Sequence, residues 1–142
     1  MTLIKVKQID WVLTARLNTD VLPLLLLPAR RLATAVNIYV TNCKTGQANM
    51  RGNTIRIPSW AFNPQVNFCG KGHIQGGLGF VAYYLAHELA HIKAKSNGHG
   101  SVFMVSFKEL CPASLQWYET IYKPRNATAA GISYNTTIKE SK

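Results

Sequence analysis

The stretch from Leu78 to Lys95 limits this chain more than any other. It contains no proline, opens among Gly76, Gly77 and Gly79, and is followed by Asn97-Gly98, so it reads as one helix with a marked start and stop. Val81, Leu85, Leu89 and Ile92 recur at three- and four-residue intervals. That spacing predicts one apolar face, which needs a sheet or other helices to cover it.

The partners are legible on both sides. Ile4 through Leu17 has apolar residues at Ile9, Val12, Leu13 and Leu17, close to a helical stripe, before Pro23 and Pro28 break the chain. Ala33 to Thr41 is rich in β-branched residues and suits a strand, and Thr54 to Pro58 suits a second, shorter one. Between them the polar run Asn42 to Asn53, with Gly46 and Gly52, reads as a hairpin or wide loop, and Asn63 to Gly79 reads as an irregular loop. Ser101 is a suitable N-cap for a helix that Pro112 stops, and Ser114 for another that runs to Tyr122. The tail after Pro124 is rich in Thr, Asn and Ser, a composition with too little apolar surface to order itself. The expected organisation is therefore one α+β domain over 1–123 and a polar, loosely ordered tail over 124–142. Its core is a short, mostly antiparallel sheet packed on the 78–95 helix, with further helices around it.

Composition narrows the function classes. With 142 residues and 47% hydrophobic content the chain can bury a core without staples. The richest apolar run, Val21 to Pro28, is too short to cross a bilayer and is flanked wrongly for a secretory signal. Cys43, Cys69 and Cys111 are far apart with no Cys-x-x-Cys pair, which argues against a zinc ribbon or a disulfide framework and favours a reducing, cytoplasmic setting. Asn126-Ala127-Thr128 and Asn135-Thr136-Thr137 match the glycosylation pattern, but nothing else in the chain points to a secretory route. Sixteen Lys and Arg against six Asp and Glu give a formal charge of +10. A charge of that size attracts polyanions, so nucleic acid is a candidate partner, although the basic residues are scattered along the chain.

The chemistry concentrates in His87-Glu88-Leu89-Ala90-His91. Residues four apart on a helix lie one above the other, separated by about 6 Å along the axis, so both imidazoles can reach one metal ion. Glu88 lies about 100° further around, where its carboxylate meets a water held by the metal rather than the metal itself. It can take that water's proton as the oxygen attacks a carbonyl, then pass it to the leaving amine. A catalytic zinc needs a third protein ligand and an open position. His99, between Gly98 and Gly100, is the leading candidate; Glu109 on the following helix competes with it, and Glu119 does so more weakly.

His87-Glu88-Leu89-Ala90-His91 followed by Gly98-His99-Gly100 and Phe103 resembles the SprT-like metallopeptidases, which pair an H-E-x-x-H helix with a downstream H-G-x-x-F. The resemblance spans about residues 54 to 110. It implies a zincin fold, a Zn2+ cofactor with His87, His91 and His99 as ligands, Glu88 as the catalytic base, and hydrolysis of peptide bonds in a protein substrate. Some members act on DNA-bound proteins, which would give the +10 charge a purpose. The gap between His91 and His99 is shorter than in long-spaced members, and the cysteine-rich ribbon that follows the catalytic domain in some of them is missing.

Less specific candidates surround that core. His73 can line a cleft. Tyr83, Tyr84, Tyr118 and Arg125 can each stabilise an oxyanion, and the strand Ile55 to Ile57 can offer its edge to an extended peptide. Two other functions stay open at this stage: a metal-dependent nuclease built on a histidine triad, and a non-catalytic nucleic-acid or protein-binding module with a structural zinc. Glu88 argues against the first, which has no need of a glutamate directly after the first ligand. The lack of cysteines near the triad argues against the second.

Overall fold

A computed structural model describes residues 9–64 and 76–121. Its architecture is α+β, and it is built around the helix that the sequence marks most clearly. The first helix, α1 (Trp11–Arg16), is shorter than the stripe from Ile4 predicts, because Asp10 caps it: the Asp10 carboxylate accepts the Leu13 amide at 3.0 Å. Ile9 instead bridges to Thr41, and the Asp10 amide donates to the Val40 carbonyl at 2.8 Å, so the helix start is tied to a strand. The chain then tightens through a π-helical turn (Leu17–Val21) and a 3-10 turn (Leu22–Leu24). Pro28 does not end structure here. It sits in the first turn of α2 (Leu27–Ala33), where a proline ring fits and its missing N–H costs nothing. The strand expected from Ala33 is accordingly shortened to β1 (Asn37–Thr41).

The polar segment after β1 contains a further short strand, β2 (Gln47–Asn49), and a turn closed by Asn49, whose side-chain carbonyl accepts the amides of Arg51 and Gly52. The chain returns as β3 (Thr54–Pro58), which pairs parallel with β1 and antiparallel with β2. The sheet, in the order β1-β3-β2, is therefore mixed rather than mostly antiparallel. The reason is topological: β2 takes the far edge and β3 folds back into the middle. One expectation fails as a result. Over Thr54–Arg56 both sides of β3 are occupied, so Ile55 cannot offer an edge to a peptide; among the described strands β2 has that position on this side of the sheet.

Ile55 and Ile57 point from β3 into the core, against α3 (Leu78–Ala94). Every residue of α3 from Phe80 to Ile92 is buried. That exceeds the single apolar face read from its periodicity, and it follows from what surrounds the helix: the sheet on one side and α2, α4 (Ser101–Leu110) and α5 (Ala113–Gln116) on others. A helix enclosed this way needs apolar or paired residues all round. Burial of Phe80, Leu85 and Leu89 contributes roughly 1.5–3 kcal/mol each. The chain ends in a last turn, α6 (Tyr118–Ile121). Ser114 is not a cap, since α5 already begins at Ala113, and the single helix expected up to Tyr122 is interrupted at Trp117.

Both ends of α3 are set by backbone conformation. Gly77 has φ +128°, a region open in practice to glycine; its amide donates to the Ala61 carbonyl at 2.8 Å and its carbonyl accepts the Val81 amide. At the other end the stop comes before Asn97-Gly98, because Lys95 adopts the left-handed conformation (φ 52°, ψ 45°). The Lys95 amide then bonds to the Ile92 carbonyl and the Ser96 amide to the His91 carbonyl at 3.3 Å each, which reverses the chain within one turn. The tail after 124, with Arg125, and also Cys69 and His73 lie outside the described residues.

A non-glycine residue in the left-handed region costs about 1–2 kcal/mol, of which roughly half is offset by the greater freedom that glycine loses on folding. Lys95→Gly should therefore stabilise the fold by about 0.5–1 kcal/mol, read as a higher midpoint in urea unfolding. A lower midpoint would show that the Lys95 side chain contributes more than its backbone strain costs.

Candidate metal centre

His87 and His91 lie on the face of α3 that meets the start of α4, and the reversal at Lys95 brings the intervening loop back over them. His99 projects from that loop. Its Nε2 lies 3.2 Å from His87 Nε2 and 3.2 Å from His91 Nε2. Three nitrogens on one tetrahedral ion, each about 2.0–2.1 Å from it, are about 3.3 Å apart. These two separations match that spacing.

Protonation supports the same conclusion. His91 Nδ1 is 2.7 Å from the Ser96 carbonyl oxygen, and His87 Nδ1 is 2.8 Å from Glu119 Oε1. A carbonyl or carboxylate oxygen accepts, so each Nδ1 carries a proton and Nε2 is the nitrogen that remains to meet a cation. The Nε2 atoms of His87 and His91 both face His99 Nε2, an arrangement that a shared cation would suit. His87, His91 and His99 can hold a metal ion, their donor atoms all lying within 4.8 Å of one another. His87 is 1% exposed and His91 8%, whereas His99 is on the surface, so the centre is buried on the helix side and open on the loop side.

Burial moves the His91 pKa down to about 4, more than the Ser96 hydrogen bond raises it, so this imidazole stays neutral near pH 7, as a ligand must. Glu88, 4% exposed, is pushed up to about 7 by burial, with His87 opposing the shift and the Glu119 carboxylate adding to it. A carboxyl poised there can both accept and return a proton near neutrality. Glu119 goes the other way: burial would raise its pKa, but the hydrogen bonds and charge of His87, with a hydrogen bond from Tyr83, hold it below the ordinary value.

Phe103 forms the floor. Its ring centroid lies 4.9, 4.7 and 4.9 Å from those of His87, His91 and His99, and it is itself 1% exposed. The aromatic four residues after His99 thus has a visible role, packing all three imidazoles at once.

The rival ligands are excluded by position. Glu109 is exposed on α4, lies 3.7 Å from Lys93 Nζ, and does not belong to the cluster of donor atoms that His87, His91 and His99 form. Glu119 does reach His87, but on the Nδ1 side, opposite the converging nitrogens. Tyr83 donates to Glu119 at 2.7 Å. The Tyr84 hydroxyl accepts the Gly46 amide at 2.6 Å, a contact so close that a Cβ at Gly46 would meet the Tyr84 ring at 2.6 Å and the Arg56 carbonyl at 2.7 Å. Tyr118 is half-buried and stacks on Tyr83, ring centroids 5.3 Å apart. Tyr83 and Tyr84 are thus engaged in holding the scaffold. Sequence reasoning missed the Ser96 carbonyl and the orienting place of Glu119; the first has no side-chain signal, and the second depends on a return of the chain 32 residues after His87. Comparisons with family models, with curated proteins and with solved structures found no match.

With two ligands left, a site of this kind holds its metal poorly. His87→Ala, His91→Ala and His99→Ala should each reduce metal retention after dialysis to a small fraction, while Glu109→Ala keeps it, as read by elemental analysis. Metal loss in Glu109→Ala with retention in His99→Ala would overturn the ligand assignment.

Proposed function

We propose that this chain is a zinc-dependent peptidase of the SprT-like, zincin type, acting on peptide bonds of a protein substrate. The observation that carries the reading is the convergence of His87, His91 and His99 Nε2 atoms beside a buried Glu88 one residue along the same helix. Three imidazoles and an open side suit zinc in a catalytic rather than a structural role. Bound there, zinc would supply Lewis acidity toward a peptide carbonyl and toward water.

The chain's own groups account for the proton. Glu88 takes it from the attacking water at a carboxylate whose pKa burial has raised to about 7, and returns it to the amine that leaves when the C–N bond breaks. Phe103 and the buried face of α3 keep bulk water from that side. An extended peptide would be aligned by pairing with β2, the edge strand next to α3. No helix among the described residues is long and apolar enough to cross a membrane, and the widely spaced cysteines fit a reducing, cytoplasmic setting. The +10 charge favours a substrate found near nucleic acid.

Glu88→Gln tests the reading, because an amide keeps the shape but cannot act as the base. Hydrolysis of an unfolded protein substrate should fall by several orders of magnitude, roughly 10²–10⁴-fold for lost acid–base catalysis, with zinc content and melting temperature near those of the wild type. Full activity in a zinc-loaded Glu88→Gln protein would remove the peptidase reading. A zinc-loaded wild type that cleaves RNA or DNA but no protein would replace it with the nuclease. Binding of nucleic acid without any hydrolysis would favour a binding module.

A further inference from the structure

Glu119 meets His87 at Nδ1, on the side of the ring away from the converging nitrogens. It comes from the far end of the described chain, on a helix of a single turn. A helix that short does not hold itself in place, so its seat must come from packing. Tyr118 supplies part of it, with ring centroids 5.3 Å from Tyr83 and 5.6 Å from Phe80 on α3, and Trp117 stacks on Tyr118 at 4.0 Å. The rest is polar: Glu119 Oε1 accepts from the Tyr83 hydroxyl at 2.7 Å and from His87 Nδ1 at 2.8 Å. The side chain of Glu119 is 14% exposed and that of His87 is 1% exposed, so this carboxylate–imidazole contact is screened little by water.

We infer that Glu119 is a positioning residue for the metal centre, and that through it metal binding and the seating of the α5–α6 segment on α3 strengthen each other. The inference rests on the metal-site reading above. An imidazole that donates from Nδ1 to a carboxylate is fixed in orientation and tautomer, and its Nε2 becomes a stronger donor toward a cation. Loss of such an outer partner weakens metal binding by roughly 10–100-fold. Linkage is reciprocal: if the seated segment raises metal affinity by some factor, bound metal raises the population of the seated segment by the same factor. Tyr83 belongs to the device as well, since its hydroxyl orients Glu119.

The test uses the full chain, the wild type beside Glu119→Gln, Glu119→Ala and Tyr83→Phe. Zinc affinity is measured by competition with a chromophoric chelator, the His87 tautomer by nitrogen-15 NMR of the metal-free protein, and hydrogen exchange of residues 113–121 with and without zinc. The wild type should show protonated Nδ1 at His87 and slower exchange over 113–121 when zinc is bound. Glu119→Ala should bind zinc roughly 10–100-fold more weakly, mix its His87 tautomers and lose the zinc-dependent slowing. Glu119→Gln, which keeps an acceptor but no charge, should fall between, and Tyr83→Phe should weaken binding least. Wild-type zinc affinity in folded Glu119→Ala, or in Glu119→Gln should the alanine variant fail to fold, overturns the inference. So does exchange over 113–121 that ignores zinc in the wild type. A wild type that binds no zinc overturns the metal-site reading itself, and the His87 tautomer then still reports whether Glu119 orients that ring.

Discussion

An imidazole can offer Nε2 to a cation only when its proton sits on Nδ1, and this site depends on two acceptors that put it there. One is the backbone carbonyl of Ser96, 2.7 Å from His91 Nδ1; the other is the carboxylate of Glu119, 2.8 Å from His87 Nδ1. Each is delivered by a separate feature of the fold. Ser96 is in range because Lys95 takes a left-handed conformation and turns the chain at the end of α3, and Glu119 because aromatic stacking holds the last helical turn against α3. The local backbone and the tertiary packing thus meet on the same pair of rings.

The enclosure of α3 explains the electrostatics. Burying a carboxyl costs several kcal/mol if it must stay charged, and a protein meets that cost by shifting the pKa toward the neutral form. Glu88 and Glu119 share one neighbourhood and part company for this reason: Glu88 is raised to about 7 by burial, while the hydrogen bonds of Glu119 more than offset the same penalty. Two carboxyls whose environments push them in opposite directions are suited to different tasks. In the proposed peptidase one moves a proton and the other holds a ring.

Much of the site was legible in the sequence because its information is local. His87, Glu88 and His91 are fixed relative to one another by helical geometry alone, and His99 lies close enough in the chain for a glycine-flanked turn to return it. Phe103 entered only as part of a motif, and its packing against all three rings needed coordinates. What stayed hidden was non-local or lacked a side-chain signal. The Ser96 carbonyl is backbone, Glu119 comes from a distant turn, and β2 is three residues of polar chain, Gln47, Ala48 and Asn49, whose strand character comes from pairing with β3. The parallel pairing of β1 with β3 was missed for the same reason, since the position of β2 decides it. Proline misled in the other direction: Pro28 reads as a breaker, yet opens α2.

The central claim is that three imidazoles from α3 and the loop after it hold one metal ion. X-ray absorption at the zinc edge of the metal-loaded protein tests it most directly. The account predicts a first shell of three nitrogens at about 2.0–2.1 Å with the outer scattering of imidazole rings, completed by oxygen. A sulfur shell near about 2.3 Å, or a shell of oxygens without imidazole scattering, would contradict it.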